Sequence, residues 1–262
     1  MKINQIRLSC SCGQGVKFTL LAAGLVLALA FTLSCSSDDG GGSHSGKGNN
    51  ISNYRTVVIG TQKWMAENLN YAVAGSKCYG EDGEVFVSGG DIFGGDLITK
   101  TLSPAEVQAN CTKYGRLYDW STAMALPLSC NENSCSSQIQ SKHRGICPSG
   151  WHIPSNDDWY VLINQVGGYE TAGKHLKSRN GWESYSGIEN LDTYGFSALP
   201  GGDGYSVGSF NDVGHDGYWW SASEDEDISY GASIQFMFYN HDYAYWGHDG
   251  KYSLFSVRCL QD

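Results

Sequence analysis

Three His-Asp pairs stand late in the chain: His215-Asp216, His241-Asp242 and His248-Asp249. An imidazole beside a carboxylate is the pairing used for general-base chemistry. Neighbours in sequence rarely aim at one proton, however, and Gly214-His215-Asp216-Gly217 and Gly247-His248-Asp249-Gly250 read as turns. The acidic run Glu224-Asp225-Glu226-Asp227 offers the oxygen ligands that calcium takes. It lacks the glycine spacing of a calcium loop, so a solvated loop is expected. The chain has no phosphate-binding glycine loop and no paired acids in a glycosidase-type motif. No catalytic residue, no metal ligand and no cofactor is therefore assigned.

Binding is better supplied than catalysis. Tyr205, Phe210, Tyr239, Tyr243, Tyr245 and Trp246 lie in late segments rich in Gly, Asn and Asp. Exposed rings beside amides and acids suit stacking on sugars, and they suit protein partners as well. Tyr205, Tyr239, Tyr243, Tyr245 and Trp246 are the candidate ligand-binding residues. The competing role for such rings is as core or loop anchors. Trp64, Trp151, Trp159, Trp219 and Trp220 are assigned to the core.

Of nine cysteines, Cys10 and Cys12 precede an apolar run and Cys35 follows it, leaving Cys78, Cys111, Cys130, Cys135, Cys147 and Cys259. An even set in an exported domain implies disulfides. Six cysteines allow fifteen pairings, and spacing alone does not choose among them. Cys130 and Cys135 flank the turn-forming Asn131-Glu132-Asn133-Ser134, which favours a local bridge. Cys147 and Cys259 bracket the most regular part of the chain, and Cys78–Cys111 is the remaining pair. Zinc is the rival reading, but no Cys-x-x-Cys pair exists and no His stands at ligand spacing.

The elements that must carry these residues begin after a leader. Phe18 to Leu33 is almost wholly apolar with Lys17 before it, too short for a comfortable membrane span and suited to a signal peptide. It ends in Thr32-Leu33-Ser34-Cys35, which resembles the lipobox of bacterial lipoproteins, with Thr32 where that group usually has Leu. A lipid on Cys35 would anchor the chain to a membrane. Ser36-Ser37-Asp38-Asp39 resembles the surface-export signal of Bacteroidetes-type lipoproteins, which implies an outer-membrane protein facing the exterior. Residues 1–34 are thus expected to be the signal peptide, 35–53 a flexible Gly/Ser/Asn tether and 54–262 the domain. Met1 to Gly15 makes an unusually long leader with no apolar periodicity, so translation is expected to start at Val16, a GTG codon being able to initiate.

The net charge is −10, and removing Lys2, Arg7 and Lys17 with the leader makes the remainder more acidic. Such a surface repels nucleic acid and anionic head groups. With 34 Gly, 16 Tyr and 8 Trp, the composition points to aromatic strands between glycine turns.

Thr56 to Ile59 reads as a first strand, Gly80 to Ser103 as a long insertion or loop, and Ser121 to Ala125 as a short helix. Ser155 is an N-cap with Asp158 completing a capping box, and Trp159, Leu162, Ile163 and Val166 form one apolar face ended by Gly167-Gly168. A second helix is expected over Thr171 to Ser178. Tyr230, Ala232, Ile234, Phe236 and Phe238 alternate with Ser233, Gln235 and Tyr239, predicting a half-buried strand with Tyr239 outward. The last strand is expected to turn Phe255, Val257 and Cys259 inward and Ser256 and Arg258 outward.

Several ordered motifs resemble one family: Gly60-Thr61-Gln62-Lys63-Trp64-Met65 with Asn68-Leu69, Tyr114-Gly115-Arg116-Leu117-Tyr118, and Cys147-Pro148-Ser149-Gly150-Trp151-His152-Ile153-Pro154-Ser155. Tyr218-Trp219-Trp220-Ser221-Ala222-Ser223 and Ser256-Val257-Arg258-Cys259 complete the set. Over about Tyr54 to Asp262 the chain resembles the Fibrobacter succinogenes major paralogous domain, a family of surface-type lipoproteins. The resemblance carries no biochemical activity with it. It implies an α+β, C-type-lectin-like domain: short helices packed on antiparallel strands, loop-rich and disulfide-stapled. That architecture is shared with formylglycine-generating enzymes, which use free reactive cysteines. The Glu-Pro-Asn or Gln-Pro-Asp loops of calcium-dependent lectins are absent. The expected function is a non-catalytic surface module binding polysaccharide or another surface component. The alternatives are an enzyme on the formylglycine-type scaffold and a purely structural surface protein.

Overall fold

The computed structural model describes residues 50–87 and 98–262. The signal peptide, Cys35, nearly all of the expected tether and the middle of the Gly80–Ser103 stretch lie outside the described residues. The described residues belong to one compact unit, Ser43–Asp262. Among them no helix is long and apolar enough to cross a membrane.

In chain order the first strands are β1 (Thr56–Ile59), β2 (Gln62–Met65), β3 (Glu84–Val87) and β4 (Ile98–Thr101). Helix α1 (Pro104–Tyr114), strand β5 (Leu117–Tyr118), helix α2 (Trp120–Met124) and strand β6 (Trp151–His152) follow. Next come α3 (Asn156–Gln165), α4 (Tyr169–Leu176), β7 (Asp203–Tyr205) and β8 (Ser209–Asn211). The chain finishes with β9 (Asp216–Glu224), β10 (Gly231–Phe238), β11 (Tyr245–Gly250), β12 (Ser253–Ser256) and β13 (Leu260–Gln261). The domain is thus a mixed α+β fold dominated by sheet.

A small sheet runs β1-β2-β13-β6, and a large one runs β11-β10-β9-β12-β7-β8-β3-β4 with β5 beside β12. Most pairs are antiparallel; β12 with β9 and β3 with β8 are parallel. Disulfides join Cys78 to Cys111, Cys130 to Cys135 and Cys147 to Cys259, the pairs expected above. One core cluster gathers Trp120, Trp151, Trp220, Phe255 and Cys147–Cys259; a second gathers Trp64, Trp159, Phe196, Trp219 and Leu162. The five tryptophans assigned to the core are all buried.

Several expectations need correction. The Gly80–Ser103 stretch is not simply a loop: its ends pair as β3 and β4, Glu84 opposite Thr101. It then delivers α1, whose start carries a capping box from Ser103 and Glu106 with Pro104 in the first turn. Strand β10 is not half-buried: Ala232, Ser233, Ile234 and Gln235 are all buried, because a second layer covers each face. Correspondingly, Tyr239 is partly buried against the second core cluster rather than outward.

The last expected strand is two strands, not one. β12 ends at Ser256 in the large sheet and β13 begins at Leu260 in the small one, so period-two alternation stops between them. Arg258, expected outward, is fully buried. Its guanidinium donates to the carbonyls of Phe196 and Ser197 and to Asn68 Oδ1, and lies 4.3 Å from the Phe196 ring centroid. Ser256 is buried as well, donated to by Asn68 Nδ2 at 3.2 Å.

Candidate functional site

Helix α3 is fixed at its start by reciprocal bonds. The Ser155 hydroxyl accepts from the Asp158 N–H at 3.3 Å, and the Asp158 carboxylate accepts from the Ser155 N–H at 2.9 Å. Below it, buried His152 contacts Asp262 at 2.8 Å and Asp158 at 3.6 Å. Burial opposes protonation of His152, but its bonds to the two carboxylates outweigh burial and raise its pKa. Trp159, Leu162 and Ile163 bury the inner face, leaving Tyr160 69 % exposed. Gly167 and Gly168 take positive φ, end the helix and let α4 start at Tyr169.

The loop after β10 is tied down by α4. Gly173 lies so close to the Tyr243 and Asp242 carbonyls that an added Cβ would collide with backbone. Lys177, buried, donates to the Phe238 and His241 carbonyls at 3.0 and 2.6 Å. Burial draws its pKa down to about 8. This bracing sets where β11 leaves the loop, and β11 is the outermost strand of the large sheet among the described residues.

Between α3, the start of α4 and the β10–β11 edge lies a cleft of about 410 Å³. Its walls include Trp159, Tyr160, Tyr169, Gln235 and Trp246, with Asn156 at one end. Trp246 is 68 % exposed. Two wall residues carry incomplete hydrogen bonding. Trp159 Nε1 and Gln235 Oε1 are buried and have no partner among the described residues, while Gln235 Nε2 donates to the Tyr245 carbonyl at 2.9 Å. Buried polar atoms without a partner are uncommon in folded proteins and point to water or ligand. The cleft therefore offers a donor, an acceptor and three exposed rings, Tyr160, Tyr169 and Trp246, with no Lys or Arg in its lining.

A second cleft of about 550 Å³ lies beyond Asn156, lined by Ser136, Gln140, Ser155, Ser223, Glu224 and Asp225 among others. Of the acidic run, Glu226 and Asp227 are exposed, as a solvated loop requires, whereas Glu224 and Asp225 are held by partners. Glu224 accepts from Lys251 Nζ at 2.6 Å, from Ser134 Oγ and from the Cys135 N–H. Burial acts to raise its pKa, but these bonds outweigh it and lower it. Asp225 accepts from the N–H groups of Asp227 and Ile228, the first of which does most to hold its carboxyl below the usual range.

Of the sequence-derived ligand candidates, Trp246 lines the first cleft. Tyr243 stacks on Tyr169 at 5.3 Å, and Tyr245 lies edge-on to Tyr169 at 5.5 Å, so both buttress the cleft wall. Tyr239 sits apart, against His215 and Tyr185, and Tyr205 lies on β7. Phe210, grouped with them by sequence, is fully buried. Trp159, Tyr160, Tyr169, Asn156 and Gln235 also line the cleft, and the sequence does not mark them as site residues. Trp159 and Gln235 carry ordinary core and strand signatures, and their juxtaposition has no local signal.

The His-Asp pairs do not act as pairs. His215 tilts against Tyr239, and His241 Nδ1 meets the Tyr245 hydroxyl. His248 and Asp249 are not in a turn: they lie within β11, paired with Ser233 and Ala232. His248 Nδ1 instead contacts Asp225 at 3.2 Å and Ser233 Oγ at 3.3 Å. Ser, His and Asp thus meet, but both contacts fall on one nitrogen. A nucleophile relay needs the hydroxyl on one ring nitrogen and the carboxylate on the other. Among the described residues no group of three or more His, Cys, Asp or Glu is placed to hold a metal ion. All six described cysteines are in disulfides, so none of them offers a thiolate.

Residues 57–261 match the family model described as the Fibrobacter succinogenes major domain. No curated protein and no solved structure matches.

Proposed function

The chain belongs to the Fibrobacter succinogenes major domain family, and on that premise we propose that it is a non-catalytic binding module for polysaccharide. In this reading a lipid on Cys35 holds the domain on the outer membrane, facing the exterior, and the fold is a C-type-lectin-like one used without calcium. The observation that carries the proposal is the cleft beside Trp246. Sugars are recognised by flat rings that cover their apolar faces and by fixed amides that pair with their hydroxyls. Trp246 and Tyr160 supply the rings, and Asn156, Asn164 and Gln235 supply amides along the same wall. The unpartnered Trp159 Nε1 and Gln235 Oε1 give a hydroxyl-bearing ligand something to complete.

The test is a glycan array probed with the detergent-solubilised full chain and with Trp246→Ala. Binding to one or more neutral glycans, reduced at least about tenfold by the substitution, is expected; tenfold corresponds to about 1.4 kcal/mol. Since Trp246 is mostly exposed, its removal should leave the thermal midpoint nearly unchanged. Array binding that Trp246→Ala does not reduce would remove the cleft from the function.

A further inference from the structure

The two clefts adjoin at the start of α3, where Asn156 lines the first and Ser155 the second. Asn156 ties β10 to β9 there, donating from its side chain to Ser233 Oγ at 3.0 Å and from its N–H to Ser223 Oγ at 3.2 Å. Residues two apart on a strand share a face. Gln235 therefore joins Ser233, while Ser223 and Asp225 reach them through contacts with Asn156 and His248. On β11, Trp246 stands opposite Gln235 and His248 opposite Ser233. Trp246 lies edge-on to the His248 ring at 5.8 Å, and His248 reaches Asp225. An unbroken strip thus runs from Trp246 through His248 and Asn156 to Asp225, with the aromatic cleft at one end and the hydroxyl-rich cleft at the other.

From this strip we propose that the ligand is a chain, an uncharged oligosaccharide segment that spans both clefts, rather than a single sugar. The inference rests on the polysaccharide reading above and extends it to ligand length and charge. The aromatic cleft takes the apolar face of one or more rings. The second cleft, with Ser136, Gln140 and Ser223 in its walls, takes hydroxyls further along the chain. No Lys or Arg lines either cleft, and Asp157, Asp225 and Glu226 do. Anionic glycans are therefore excluded by like charge.

Isothermal titration of the detergent-solubilised full chain with maltose-, cellobiose- and N-acetylated chitobiose-based ladders, each from disaccharide to hexasaccharide, tests the proposal. An oligogalacturonate ladder serves as the anionic control. At least one neutral ladder should gain about tenfold or more in affinity with length. The double variant Ser136→Ala/Gln140→Ala, at exposed positions, should flatten that gain while leaving disaccharide affinity in place. Trp246→Ala should weaken every member. If the disaccharide binds as tightly as the hexasaccharide, or the double variant keeps the full gain, the spanning path is wrong while the aromatic cleft stands. Tighter binding of the oligogalacturonates than of every neutral ladder would overturn the charge assignment. Binding of no ladder at all would overturn the inference. Length-dependent binding untouched by Trp246→Ala would overturn the cleft reading itself.

Discussion

Arg258 Nη2 and Asn68 Oδ1 meet at 2.7 Å in the interior, and the same oxygen accepts from Trp219 Nε1 at 2.9 Å. The Asn68 amide nitrogen donates onward to the Tyr114 carbonyl and to Ser256 Oγ. One carboxamide therefore joins the segment after β2, the end of α1, β9 and the crossing between the two sheets. Burial presses the Arg258 pKa down to about 9, so the cation depends on its oxygen acceptors.

Asn68→Ala should accordingly be severe. It strands a buried guanidinium N–H and an indole N–H, each costing about 1–3 kcal/mol. A loss of roughly 3 kcal/mol or more is expected, which for a domain of this size lowers the midpoint by about 10 °C. Thermal melting followed by circular dichroism checks this. A loss under about 1 kcal/mol would show that water replaces the carboxamide.

Asp203 should make stability fall as pH rises. Its burial, and then the charge of Asp212, push its pKa up to about 7. The folded form thus holds a proton that the unfolded chain releases near its ordinary value of 3.8. The favourable contribution is full below that value and is lost as pH rises through about 7. Asp203→Asn cannot ionise, so its midpoint relative to the parent should climb between pH values of about 4 and 8. A flat difference across that window would refute the assignment.

The long disulfide should matter more than the short one. Cys147–Cys259 spans 112 positions and Cys130–Cys135 spans 5. Chain entropy gives about 5 and about 2 kcal/mol respectively. Paired Cys→Ser variants, compared by urea unfolding, should keep that order. Equal losses would mean that native packing, not loop length, sets the effect.

Cys35→Ala should release the protein from membranes or trap its precursor. Fractionation of cells expressing the variant checks this. Full retention in the membrane fraction would end the lipid-anchor proposal.

What the sequence made legible was local. Ser155, Asp158 and the Trp159–Leu162–Ile163–Val166 face announced α3 because cap and period lie within one short window. Helix α1 carries an equally good start, Ser103-Pro104-Ala105-Glu106, but its buried face is only Val107, Cys111 and Tyr114. It also follows a glycine-rich stretch, which masks it as a continuation of the loop. Arg258 escapes period-two alternation because the chain changes sheets there. The cleft was the least legible part: Asn156 and Ser233 meet across 77 positions, and no periodicity encodes such a meeting.

The pairing of β2 with β13 has a consequence for the order of folding. Leu260 stands opposite Trp64, so a strand near the start of the family region waits for one near its end. Until that late strand arrives, β1 and β2 are an isolated hairpin, which is marginal in water. Closure over such a distance is slow, because the entropy of the loop is lost before the contacts return it. During synthesis β2 and β6 therefore both wait for β13, the last strand made, before the small sheet can form. Closure of the small sheet thus reports that the chain has been made to the end of the family region.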